Sequence, residues 1–470
     1  MDRSGLLASK KYVLFVVTFG LFADVLSYSI VIPLTPFIFT RLNIGNPSDA
    51  QENSALVGAL LASYAAAQLV SCPIFGWVSD RITNRKWPMI WGLFAGMVAI
   101  IMFAAATNFT MLVIARILQG VSAAAVWTLG FALLGDVYPD EELGTAFGTA
   151  MAGFSIGTVF GLPIGGALYQ FAGYWTPFIV SAVFIVIDMI ARFLVVEKSH
   201  GVASSALNSA DTIDETAADS MATLALTTEQ CRPPPRKALL RTLTWNSLRV
   251  PSPSYVDMAR DPAIFMLNAV SAIIGTVLMA YEPTLPLYLE KEFGAQSGTV
   301  GLIFLAIVSA GLFSGPAAGA LRDKFGATVV IIPSLLAVAV VAPMMAVAKS
   351  YATLAVVSFL LGFFVIAIQA PIMSELIPLA PPSATGKLVA FNNIAYSIGM
   401  LVGPIAAGAI YQVSSFLTMS CVLSGLSALQ VAMYWVFVVL KQDRETVKKE
   451  LEKARGSAVE GSDGEAKVHA

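Results

Sequence analysis

Gly76-Trp77-Val78-Ser79-Asp80-Arg81-Ile82-Thr83-Asn84-Arg85-Lys86 is a charged turn between two long apolar runs, and it returns in shorter form as Gly319-Ala320-Leu321-Arg322-Asp323-Lys324. The same turn between two pairs of apolar runs points to a duplicated bundle. Its chemistry is that of a latch. Gly76 and Gly319 let helix ends approach, while Asp80 and Asp323 can accept hydrogen bonds from helix N-termini and meet basic groups such as Arg81 and Arg85.

Working outward, runs long enough to cross ~30 Å of hydrocarbon, about 20 residues each, fall at 12–39, 54–78, 87–106, 111–134, 145–171 and 174–196, numbered spans 1 to 6. Spans 7 to 12 fall at 263–289, 298–321, 327–348, 352–377, 388–411 and 416–440. The runs are continuously apolar without period-2 alternation, so they read as helices rather than barrel strands. The composition agrees: 57% hydrophobic, 12% charged, mean hydropathy +0.76. Soluble domains carry about 25% charge, so this is a membrane protein that meets the bilayer along most of its length.

The duplication extends well beyond the turn. Pro33 and Pro36 answer Pro283 and Pro286; Pro73, Gly76 and Asp80 answer Pro316, Gly319 and Asp323. Gly120 answers Gly362, and Gly157, Gly161, Gly166, Tyr169 and Gln170 answer Gly399, Gly403, Gly408, Tyr411 and Gln412. The separation stays within about 242–250 residues throughout. The expected fold is therefore all-α, with twelve transmembrane helices as two pseudo-symmetric six-helix bundles, 1–196 and 261–440. Between them, 197–260 reads as a largely disordered linker, with an interfacial amphipathic helix at 236–249 as an alternative to plain disorder; 441–470 reads as a solvated tail. Two similar bundles about a midplane site are what alternating access needs.

Positive charge orients the chain. The loops on one side hold only Arg41, Lys291 and Lys349, whereas the short loops on the other hold Arg81, Arg85, Lys86, Arg322, Lys324 and Lys387, which places both termini in the cytoplasm. Other classes drop out. Net charge −2 offers no basic excess for nucleic acid. Cys72, Cys231 and Cys421 form no CxxC, and His200 and His469 both lie in polar segments, which argues against metal or histidine-base chemistry in the membrane. Gly386-Lys387 lacks the remaining Walker pattern, so no cofactor is expected. Asn108-Phe109-Thr110 is a glycosylation triplet too close to its spans to be used.

Within the spans, Asp24 near the middle of span 1 and Glu282 in Tyr281-Glu282-Pro283-Thr284-Leu285-Pro286 of span 7 are the two sharpest features. A carboxylate in a low-dielectric cavity is a reversible proton site and an attractor for a cation; a structural carboxylate bonded to a neighbouring helix is the alternative for each. Counted from the cytoplasmic ends, Asp24 is the midplane candidate and Glu282 the outer one. Arg116 in Arg116-Ile117-Leu118-Gln119-Gly120 of span 4 is costly unless it faces the bundle or snorkels. Gly157, Gly161, Pro163, Gly165 and Gly166 of span 5 supply a groove for close packing and a hinge. Tyr28, Gln68, Trp127, Tyr281, Gln369, Asn392, Asn393 and Tyr396 are candidates for the cavity wall. Asp188 and Arg192, four apart in span 6, read as a local pair whose arginine snorkels, and Asp136 and Glu375 as gate charges.

The turn resembles the signature loop of the major facilitator superfamily, with Thr83 where that family usually has glycine. Arg116 to Gly120 resembles its arginine motif, and Gly148 to Gly166 resembles the antiporter motif of its proton-driven exporters, the proline falling one residue late. With Asp24 and Glu282 added, the chain resembles the vesicular amine transporter branch of the twelve-span drug:proton antiporters, including fungal members. The resemblance covers all spans but not the linker. It departs at Gln369 and Asn393, where the animal amine carriers have acids, so a neutral or singly charged hydrophobic compound is the expected substrate. It implies a monomeric exporter of a small organic molecule in exchange for protons, in the plasma or vacuolar membrane. An uptake carrier on the same fold and a non-transporting sensor are the alternatives.

Overall fold

The computed structural model describes residues 9–44, 50–82, 84–195, 253–295, 297–379, 381 and 384–439. The sequence expectations for Thr83, the amphipathic stretch at 236–249 and the tail lie outside these residues. The expected twelve spans are all present as helices. Spans 1 to 6 are Lys10–Leu42, Ala50–Arg81, Lys86–Ala104, Phe109–Val137, Leu143–Ala172 and Thr176–Leu194. Span 7 is Pro262–Phe293, span 9 Thr328–Val347, span 11 Thr385–Val413 and span 12 Phe416–Tyr434.

Spans 8 and 10, read from the sequence as unbroken, are each made of two helices. Span 8 is Ser297–Ser309 followed by Gly311–Phe325, and span 10 is Tyr351–Ala367 followed by Gln369–Leu376. In span 10 the interruption has a local cause: Pro371 has no N–H to offer the carbonyl of Ala367.

In lipid every backbone group must find its partner inside the chain, which makes helix ends the costly points. The sequence supplies caps there. Ser9, Asn108, Ser350 and Ser415 accept from the backbone N–H three residues on, at 2.9–3.2 Å. Asp261 accepts from Ala263 N at 2.8 Å. Asn108, the first residue of the glycosylation triplet, is one of these caps. Spans 1 and 7 end alike, in Asn43 and Gly294, both left-handed with φ of 52° and 62°.

The halves share a plan. Span 1 packs along span 5, and span 7 along span 11; the halves meet where span 2 faces span 11 and span 5 faces span 8. Span 1 can approach span 5 because glycine stands at the contact. A Cβ on Gly157 would lie 2.7 Å from the Phe22 carbonyl oxygen and 3.1 Å from Leu26 N. Gly161 and Gly165 likewise press on Leu26, Ser29 and Ile30, but Gly166 does not belong to this groove: nothing lies within 4 Å of where its Cβ would be. Four residues advance a helix by about 400°, whereas five turn it onto another face. Gly157→Ala is therefore expected to cost about 1–3 kcal/mol in thermal unfolding of the detergent-purified protein, and Gly166→Ala close to nothing.

Asp188 and Arg192 form the expected pair, with Nε 3.0 Å from Oδ2. The snorkelling is not observed. Arg192 is 1% exposed, its guanidinium lying against span 1 in the space left by Gly20.

Candidate functional site

Between the halves lies a cavity of about 680 Å³, a size that holds a drug-like molecule. Its wall is mostly aliphatic and aromatic. Tyr28, Gln68, Trp127 and Phe154 come from the N-terminal half, and Glu282, Gln369, Asn393 and Tyr396 from the C-terminal half. Val300 and Gly301, in the first turn of span 8, also line it, so the cavity reaches the end of the bundle away from the termini.

Adjacent residues on a helix point about 100° apart, which settles two doublets left open by the sequence. Glu282 faces the cavity, where its charge acts on the phenols of Tyr28 and Tyr396. Tyr281 is therefore turned away and is not a wall residue: it is 1% exposed, its hydroxyl aimed at the Ala342 carbonyl of span 9 and its ring 6.0 Å from that of Phe416. Asn393 faces the N-terminal half and donates to Thr128 Oγ1 at 3.1 Å. Asn392 consequently points into its own half and leaves the wall. It donates to Ser271 Oγ at 2.6 Å and Asn268 Oδ1 at 3.3 Å, and accepts from Gln369 Nε2 at 3.2 Å. Gln369 begins the second helix of span 10, so the break in that span aims its amide. Asn268 and Thr128 were missed in the sequence; the one amide of span 7 was the available signal for the first.

Asp24 does not line the cavity. It stands behind Trp127, whose indole Nε1 donates to its Oδ2 at 3.1 Å, and it is 8% exposed. Trp127 and Tyr28 therefore form a screen with the carboxylate on the far side. Tyr28 stacks toward Tyr64, ring centroids 4.8 Å apart. Arg116 is fully buried and meets neither acid through a hydrogen bond. Its Nη1 donates to Gln119 Oε1 at 2.8 Å, while its guanidinium lies 5.1 Å from the rings of both Tyr28 and Phe103. Its positive charge is held by an amide and two π faces, and reaches the cavity through Tyr28.

The end that carries the N-terminus is closed by two latches. Asp80, at the end of span 2, accepts from Gly386 N at 2.7 Å and Lys387 N at 3.1 Å, in the first turn of span 11. Asp323, at the end of span 8, accepts from Gly144 N at 2.8 Å and Thr145 N at 2.7 Å, in the first turn of span 5, and from Thr145 Oγ1 at 2.6 Å. Each joins one half to the other and places a negative charge on a helix N-terminus. Gly76 and Gly319 permit this approach, lying against the backbones of Gly386 and Gly144. Of the basic residues expected here, Arg85 pairs with Asp136, and Arg322 bonds Ser374 O at 2.8 Å and Glu375 Oε1 at 3.4 Å. Arg81 instead lies over the Trp77 ring, 4.2 Å from its centroid.

The last linker residues add a third tie. Ser254 and Asp257 form a capping box at the start of a short helix, Tyr255–Arg260. The Tyr255 hydroxyl, kept protonated by burial, donates to Pro73 O of span 2 at 3.0 Å.

This arrangement agrees with known proteins. A family profile described as Major Facilitator Superfamily matches residues 17–281 and 264–463. The chain is 27% identical to an uncharacterized MFS-type transporter of Schizosaccharomyces pombe, over 88% of this chain and 93% of that one. It is 27% identical to the MFS-type transporter ppzB of Metarhizium majus over 89% and 98%, and 26% identical to the synaptic vesicular amine transporter of Homo sapiens over 78% and 64%. The solved structure of the human organic anion transporter MFSD10 (TETRAN) superposes with a TM-score of 0.68 at 17% identity, covering 90% of this chain and 99% of that one, a likeness of fold.

Proposed function

The chain belongs to the major facilitator superfamily and is a transporter of small organic molecules, and from that premise we propose that it is an antiporter that exports its substrate in exchange for protons. One observation carries the reading: a cavity walled by both halves and shut at the terminus end holds one carboxylate in its wall, Glu282, and has a second, Asp24, one hydrogen bond behind it. Two carboxylates of different access allow a substrate and a proton to compete without needing one shared position. Glu282 meets the substrate; Asp24 carries the proton; Arg116 biases the wall between them through Tyr28. The two latches hold one of the two states that alternating access requires. No cofactor takes part, and the proton gradient is the energy source.

The wall also speaks to the substrate. Aromatic rings, aliphatic side chains and one acid suit an apolar molecule carrying no more than one positive charge. In the cell, this reading places both termini in the cytoplasm and the monomeric protein in the plasma or vacuolar membrane.

Proteoliposomes with an acidic lumen, offered a panel of lipophilic amines, cations and neutral compounds, test it. Protein-dependent accumulation that collapses with a protonophore is expected. Downhill flux of the same compounds that ignores the pH gradient would sink the antiport. Glu282→Gln is expected to lower affinity for the transported cations by about tenfold, the loss of one close charge in a desolvated site, with little change for neutral compounds, read as KM in the same vesicles.

A further inference from the structure

Span 6 carries a buried charge pair that the proposed cycle does not use. Arg192 holds Asp188 through Nε alone, at 3.1 and 3.0 Å from its two oxygens. Its Nη1 and Nη2 are buried without a hydrogen-bond partner, an expensive way to keep a guanidinium. These atoms lie against Gly20 of span 1; a Cβ there would overlap Nη2 and come 3.1 Å from Asp188 Oδ2. Asp24 is one turn further along the same face, roughly 6 Å at 1.5 Å per residue. A helical side chain leans toward the helix N-terminus, which points the Asp24 carboxyl back over the bare turn at Gly20. Asp188 and Arg192 already act on Asp24 electrostatically.

Among the described residues, the other elements packed on span 1 offer no competing partner. Span 5 brings glycines to this contact, and span 4 brings Trp127, the present donor to Asp24, with Arg116 held at Gln119, Tyr28 and Phe103. Tyr64 of span 2 and Tyr28 are the nearby phenols, and Glu282 of the other half acts on Tyr28.

We propose that Arg192 is a shared counter-charge, held by Asp188 while Asp24 is protonated and taken by the Asp24 carboxylate, through the free Nη groups, once its proton has left to solvent. Arg192 is then a positioning residue, and Gly20 the gap through which it is reached. This deepens the antiport reading and rests on it, because it needs Asp24 to gain and lose a proton. Its consequence is mechanical: deprotonation ties span 1 to span 6, and protonation releases it.

Infrared titration of the purified full-length protein tests this without a substrate, following the carboxyl C=O band identified by its loss in Asp24→Asn. In Asp188→Asn the arginine has only Asp24 to serve, and the band is expected to convert at a pH lower by about one unit or more; in Asp188→Asn/Arg192→Gln, with the counter-charge gone, at a pH higher by a similar amount. Arg192→Lys, which keeps the charge, should stay near the wild type. Opposite shifts in the first two proteins are not expected of a pair that only packs. Should the single variant fail to fold, the charge-balanced double variant and Arg192→Lys carry the comparison. A wild-type band that converts between about pH 5 and 9 while the double variant titrates like it overturns this inference alone. A wild-type band that does not convert overturns both this inference and Asp24 as the proton carrier.

Discussion

Asp24→Asn is expected to bring pH-gradient-driven accumulation down to the level of protein-free liposomes, while the protein stays folded and exchanges substrate for substrate. The amide oxygen of Asn still accepts from the Trp127 indole, so the bond at 3.1 Å that holds the screen survives. What is removed is the group proposed to exchange a proton. Because the side chain keeps its size, unfolding should stay within about 3 °C of the wild type, the change that corresponds to roughly 1 kcal/mol in a bundle of this size. Counterflow, which moves no net protons, is the control: retained counterflow with lost accumulation is expected, and undiminished accumulation would remove Asp24 from the mechanism. Glu282 differs in kind. It stands in the wall itself, so its loss is read in substrate affinity.

The second large effect is expected at the latches. Asp80 and Asp323 accept between them four backbone N–H groups and one hydroxyl across the interface between the halves. Asn in both places turns an NH2 toward N–H donors and removes both charges from helix N-termini. Hydrogen bonds to charged groups contribute about 1.5–3 kcal/mol each, so Asp80→Asn/Asp323→Asn should favour opening of the terminus end by about 3 kcal/mol, roughly a hundredfold in population. Spin labels at exposed Ile82 and Phe325, in a chain whose Cys72, Cys231 and Cys421 are replaced by Ser, report the separation of the halves there. A new, longer distance is expected in the double variant. An unchanged distribution would mean that the other contacts between the halves, Arg322 to the Asp140 carbonyl and Tyr255 to the Pro73 carbonyl, hold the end closed without the aspartates.

The sequence alone determined the number of spans, the duplication and the family, because each rests on information carried locally: the length of an apolar run, the glycine and proline that recur a half-chain later, the acid in the turn. It also found the carboxylates within the spans, Asp24, Asp188 and Glu282, since a charge inside an apolar run is conspicuous wherever it points. Tertiary structure decided what each side chain faces. Glu282 and Tyr281 are neighbours in sequence, yet one lines the cavity and the other is sealed against span 9; Asn393 and Asn392 part in the same way. Asp24 is screened by a tryptophan about a hundred residues away, Arg192 is buried because a glycine in another helix leaves room, and Asp80 meets a backbone in the opposite half. These depend on helix rotation and on how closely two helices approach, and both are fixed jointly by residues far apart in the chain. A single apolar run read by itself leaves its rotation undetermined, because in a membrane an apolar surface suits lipid and protein neighbours alike.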